Sequence, residues 1–246
     1  MSKIMKGLTN DYLQDVLVRL AHHSSAIEGN TISLADTVSI ILHNTVPGKT
    51  NLRELYEVAN HKEAFEYVLT NVIDGKELTT SRIKDIHELL MDRLLVDRGQ
   101  FKKSDNAIKG ADFDTASPGE TPFLMEQWAG NLNFQLEKAT TKNEILSIVG
   151  DFHIQFERVH PFSDGNGRTG RMLMNYSLLE KGMPPLIIKG NDKIEYVNIL
   201  AKQDVEAFKD FAFDLISYEE QRVQKFANKE ITQVKEARNI SSDLEI

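Results

Sequence analysis

Between two segments of helical periodicity the chain carries the run Gly165-Asn166-Gly167-Arg168-Thr169-Gly170. As a pattern this is G-x-G-x-x-G, which in dinucleotide-binding folds joins a strand to a helix within a βαβ unit. The lead-in here, "EILSIVGDFHIQFERVH", repeats its apolar residues at helical spacing, and the exit segment stops before Pro184-Pro185. No alternation of strands and helices surrounds the run. A doubly wound sheet is therefore rejected, and the glycines must serve a helical protein.

The rest of the chain agrees. Leu13, Val16, Leu17 and Leu20 make one apolar helical face, and Leu34, Val38, Ile41 and Leu42 make a second, with Ser33 placed as its N-cap. Further helical stripes run through Leu52–Leu69, Ile83–Leu94, Phe123–Leu132, Ile145–Phe156 and Leu173–Leu179, then over about 192–203 and 205–227. Residues 98–122 read differently, punctuated by Gly and Pro, and the short runs at Phe101 and Ala107-Ile108 predict a small hairpin. The expected fold class is mostly α, a helical bundle with one small β-hairpin. No internal repeat and no interdomain linker is visible.

Within that frame the glycine run is an anion site. Glycines on both sides of Asn166 let successive backbone N–H groups turn inward, and a helix starting near Gly167 adds its positive end. Arg168 and Arg171, at i and i+3, project from one side of the first turn. A run of phosphates is the natural ligand. Asp164 offers the hard oxygen that a divalent ion bridging to phosphates prefers. His160, with an unperturbed pKa of ~6.5, can accept a proton near neutral pH. These parts describe attack of a hydroxyl on a nucleotide phosphate.

A net charge of −8 argues against phosphate neutralisation of a nucleic acid. The absence of cysteine excludes disulfides, thiolate catalysis and Cys-ligated zinc. No apolar run reaches the ~20 residues of a membrane span, and "MSKIMKGLTNDY" lacks a secretory apolar core, so a cytoplasmic protein without membrane partners is expected.

The segment "HPFSDGNGRTGR" resembles the signature of the Fic (filamentation induced by cAMP) domain family, H-P-F-x-[D/E]-G-N-G-R-x-x-R, at every defining position. The resemblance covers roughly residues 50–215. It implies transfer of AMP from ATP to a Ser, Thr or Tyr hydroxyl of a protein target, with self-modification among the outcomes. It implies His160 as the base and Asp164 as ligand to Mg²⁺ or Mn²⁺ between the α- and β-phosphates. Gly165, Asn166 and Gly167 would form the nest, Arg168 would hold the outer phosphates, and Arg171 would orient the γ-phosphate. Phe162 would anchor the loop. Relatives that phosphorylate carry a basic residue where this chain has Gly167, so nucleotidyl transfer is favoured. The hairpin resembles the family's flap, whose residues Asn106, Ala107, Ile108, Lys109 and Gly110 would clamp the target by strand addition. Lys102 stands after Phe101 where relatives carry Arg. Positions similar to Tyr196 and Gln203 contact the nucleoside.

The segment "SSAIEGN" resembles the inhibitory motif of the same family through Ser24, Glu28 and Gly29, in the N-terminal (class II) arrangement. It implies a salt bridge from Glu28 to Arg171 that displaces the γ-phosphate and turns the α-phosphate away from attack. Residues 1–50 are thus expected as a helical region bearing the brake, 51–228 as the core and 229–246 as a polar tail. The alternatives are an AMP-removing or bifunctional enzyme, phosphocholine transfer, or a nucleotide sensor without catalysis. Exposed helical faces leave room for a homodimer. His87 reads as a packing or capping residue, and the Phe152 and Phe156 stripe as core.

Overall fold

The computed structural model describes residues 8–108 and 113–243, with side-chain surroundings to residue 232. Nine α-helices follow one another among the described residues: α1 (Asn10–Ile27), α2 (Leu34–His43), α3 (Leu52–Ile73), α4 (Thr80–Leu90), α5 (Thr121–Lys138), α6 (Lys142–Val159), α7 (Asn166–Glu180), α8 (Lys193–Lys202) and α9 (Val205–Asp243). Local chemistry sets the starts. Thr9, Ser33, Asn51, Thr79 and Thr141 each accept a first-turn N–H at an extended N-cap, and Thr141 with Glu144 closes a capping box.

Helix α7 is the centre. From Arg168 to Leu179 every residue is buried, as expected of a helix enclosed on all sides. Helices α3, α4 and α6 pack along it, and α1 reaches its first turns. Helix α9 lies against α6 so closely that a Cβ at Gly150 would stand 2.5 Å from Phe208 Cδ1. An ion-pair cluster ties α1 to α9: Arg19 donates to both oxygens of Glu219 (2.5 and 2.9 Å) and to Asp15 (2.8 Å), Tyr12 Oη donates to Glu219, and Arg222 donates to Asp15. No helix among the described residues is long and apolar enough to cross a membrane.

The expected hairpin is not formed among the described residues, and Lys109 and Gly110 lie outside them. Residues 101–108 run without strand pairing because their polar groups bond to another partner. Lys102 N donates to Pro161 O (2.9 Å), and the side chains of Lys102 and Asn106 turn to the loop ahead of α7.

Candidate active site at the amino end of α7

The loop between α6 and α7 begins with His160, which ends α6 in the left-handed region at φ 49°. Its Nδ1 meets Glu157 O at 3.2 Å. Donation from Nδ1 leaves Nε2 as the free acceptor of a neutral ring. Burial pushes the His160 pKa below the ordinary value, so the ring is neutral at pH 7. Phe162 is fully buried and stacks on His87, ring centroids 3.7 Å apart. His87 in turn accepts from Gly99 N (2.9 Å) and meets Asp164 O with its Nε2 (3.0 Å). Asn166 holds the turn with its side chain, accepting from Phe162 N (2.9 Å) and donating to Phe162 O (2.8 Å).

Gly165 carries φ 77° and is the N-cap of α7, which has no side-chain cap. Its own Cβ would meet Met91 Sδ at 2.5 Å, so both the dihedral and the packing require glycine. The first N–H groups of α7 therefore have no side-chain acceptor from the N-cap and suit an anion. Arg168 stands beside them, 3% exposed. Its nearest acids are Glu57 and Asp164, each at 3.7 Å, and its Nε and Nη1 are buried without a hydrogen-bond partner. Buried guanidinium donors left unpaired are costly, and an oxyanion of several oxygens would satisfy them. Asp164 is half-exposed, with Oδ1 accepting from Gly165 N (2.6 Å) and Oδ2 from Arg53 (3.1 Å). No cluster of three or more metal-ligating side chains exists among the described residues. A lone carboxylate at a phosphate cradle fits the way Mg²⁺ is held, by one or two carboxylates plus phosphate oxygens.

Arg171 is buried and points to the end of α1. It donates to Glu28 Oε1 (2.6 Å), Ser24 Oγ (3.0 Å) and Ser24 O (2.9 Å). Lost hydration works against the Glu28 charge, but Arg171, with Arg168 and Lys193 behind it, holds Glu28 below the usual carboxylate range. Gly29 follows at φ 98°.

One cleft of about 570 Å³ is lined by Glu28, Glu157, His160, Gly167, Arg171 and Tyr196 together with apolar residues of α6 and α8. The volume suits a ligand of nucleotide size. Tyr196 is buried and its hydroxyl meets His153 Nε2 at 2.6 Å. Gln203 caps α8 in the left-handed region and is exposed. Ala107 is exposed, whereas Ile108 turns into the cleft.

Two acids at the site carry no sequence signal. Glu57, buried on α3, accepts from Arg53 and Asn30 and faces Arg168. Glu157 sits against the α7 backbone, 2.6 Å from where a Gly170 Cβ would be. Burial raises its pKa to about 7, with the Arg171 charge pulling the other way. On helical patterning alone each reads as an ordinary solvated glutamate.

Residues 77–178 match the Fic/DOC family model. Proteins named Protein adenylyltransferase Fic are 28% identical in Drosophila willistoni, over 78% of this chain and 39% of that protein, and 28% identical in Culex quinquefasciatus, over 82% and 40%. The chain thus spans about 40% of the length of these curated relatives. A Fic domain containing signaling protein of Bacteroides thetaiotaomicron superposes with TM-score 0.82, at 24% identity and 91% coverage of both chains. The N-terminal Fic domain of a Bartonella quintana protein, solved with bound ADP, superposes with TM-score 0.54 at 20% identity, over 68% of this chain and 87% of that one. Residues 77–178 are a domain of the Fic/DOC family.

Proposed function

We propose that this chain is a protein adenylyltransferase of the class II arrangement, moving AMP from ATP to a hydroxyl of a protein and held back by Glu28. The observation that carries the reading is the meeting, in one cleft, of a neutral His160, whose Nε2 has no hydrogen-bond partner among the described residues, and the uncapped helix start at Gly167, with the unpaired donors of Arg168 on the residue that follows. The names of the relatives and the ADP found in the Bartonella domain support it.

In this reading the phosphates lie on the N–H groups of Gly167 and its neighbours, with Arg168 on the outer oxygens. Asp164 would hold Mg²⁺ or Mn²⁺ against the phosphates, which spreads the charge of the leaving group. His160 Nε2 takes the proton of the target hydroxyl as that oxygen bonds to the α-phosphorus. The bond from phosphorus to the β-bridging oxygen breaks and pyrophosphate departs. Arg171 orients the γ-phosphate only when Glu28 has released it. Ala107 and Ile108 of the flap receive the target chain.

The test is incubation of wild type, Glu28→Gly and Glu28→Gly/His160→Ala with α-³²P-labelled ATP and Mg²⁺. Label in Glu28→Gly that vanishes in the double variant is the expected result. Absence of label in all three, with ATP bound, overturns the reading and points to a sensor or another donor.

A further inference from the structure

His160 closes α6 in the left-handed region, a backbone conformation uncommon for a non-glycine residue. The backbone on either side of it is held by the segment that begins at Phe101. Four successive carbonyls, those of residues 159 to 162, are each captured from it. Lys102 Nζ donates to Val159 O (3.3 Å) and Lys102 N to Pro161 O (2.9 Å). Asn106 Nδ2 donates to His160 O (3.1 Å) and Phe162 O (2.8 Å).

The two capturing side chains are themselves fixed. Asn106 Oδ1 accepts from Lys102 Nζ (2.7 Å) and from Thr115 Oγ1 (2.7 Å), and Lys102 Nζ also reaches Thr115 Oγ1 (3.1 Å). Lys102 is 3% exposed and makes no salt bridge among the described residues. Among the described residues the three hydrogen-bond partners of this ammonium group are oxygens of this one knot. Such a group fixes geometry instead of adding surface charge.

We propose that Lys102 and Asn106 are positioning residues for His160, aiming its Nε2 by holding the carbonyls on both sides of it, and that they join the target-receiving residues Ala107 and Ile108 to the base. The inference rests on the adenylyltransfer reading for its kinetic part. Neither residue touches the nucleotide cradle, whose groups come from Asp164 to Arg171. Substitution therefore separates transfer rate from ATP binding, which loss of overall structure would not do. A base displaced by about 1 Å loses roughly 100-fold in rate.

The experiment uses the full chain in a Glu28→Gly background, with Asn106→Ala, Lys102→Met and Lys102→Arg added singly. Thr115→Val serves as a milder probe should Asn106→Ala not fold. Single-turnover labelling by α-³²P-ATP is measured beside the Kd of a fluorescent ATP analogue, and the His160 ring is titrated by NMR. We expect labelling by Asn106→Ala and Lys102→Met to fall about 100-fold, with Kd within twofold of the parent, a moved His160 titration and partial recovery in Lys102→Arg. Parental labelling, or affinity that falls in step with rate, overturns the proposal. If the Glu28→Gly parent itself does not label, the adenylyltransfer reading fails. The His160 titration then decides positioning by itself, an unchanged curve in Asn106→Ala counting against it.

Discussion

The carboxylate of Glu28 fills the space that a side chain at Gly167 would need: a Cβ there would lie 2.5 Å from Glu28 Oε1 and 3.1 Å from Arg171 Nη1. The acid of α1 thus stands at the first turn of α7, where the helix end and two arginines favour a negative charge. One anion occupies the place in which the proposed reaction needs another.

Removing that anion has a measurable result. A charge-assisted hydrogen bond contributes about 1.5–3 kcal/mol, and each 1.4 kcal/mol is tenfold. Glu28→Gly is expected to raise the initial rate of label incorporation from ATP about 10- to 100-fold. Rates equal to wild type in a folded variant would exclude the brake.

The two glycines of α7 behave oppositely when given a methyl group. At Gly170 a Cβ meets Glu157 Oε1 at 2.6 Å and the rings of His153 and Phe156 at 3.0 Å, all within the packed core. Gly170→Ala is expected to cost about 1–3 kcal/mol, a fall of roughly 2–12 °C in Tm for a chain of this size. At Gly167 the obstacle is the end of a movable side chain. Gly167→Ala should cost less than Gly170→Ala while dislodging Glu28. Equal melting of the two variants in a thermal scan would contradict this account.

Acid acts through buried imidazoles. Burial lowers the pKa of His61 and His153 to about 3 and of His87 to about 4. Each folded value lies below the unfolded one, so these groups contribute stability above pH 6.5 that is lost as pH falls toward 4. Glu157, raised to about 7 by burial, works the other way between pH 4.5 and 7. Three histidines outweigh one glutamate. The Tm should drop between pH 7 and pH 4.5, and a flat profile by calorimetry would refute it. The transfer rate of Glu28→Gly should reach half of its plateau below pH 6.5, because burial lowers the His160 pKa from its ordinary value.

The link between α1 and α9 tests the value of a buried ion pair. Arg19→Met leaves Glu219, 3% exposed, with the Tyr12 hydroxyl at 3.1 Å and Arg222 Nε at 4.0 Å but no direct ion-pair hydrogen bond. Breaking one partner of such a pair costs about 3–5 kcal/mol, whereas replacing both can be neutral. Urea denaturation of Arg19→Met, and of Arg19→Met with Glu219→Leu, should therefore show a large loss and then a substantial recovery. No recovery in the double variant would mean that the cluster does more than neutralise its own charges.

The helices were legible because apolar spacing and polar caps act within a few residues: Ser33 caps α2 where the pattern places it. The signature loop was legible as a contiguous string. What escaped depends on partners far along the chain. Residues 101–108 carry apolar residues spaced as in a hairpin, but the carbonyls they meet lie more than fifty positions away. Glu57 is marked as a site residue only by Arg168, and Glu157 only by the closeness of α7 at Gly170. Tyr196 sends its hydroxyl to His153, a pairing that no local pattern announces.

Helix α1 is pinned in its first half by Asp15 and Arg19 and near its end by Ser24 and Ser25, and it bears Glu28 just past its last residue. Eighteen residues make a rod of about 27 Å, and a rod held at both ends does not swing away from its neighbours. Freedom is left to the Glu28 side chain, 38% exposed where the chain turns at Gly29. In the proposed reaction, exchange of Arg171 between Glu28 and the nucleotide would then be a matter of side-chain rotamers, on the timescale of torsions, and the helix that carries the acid can stay where it is.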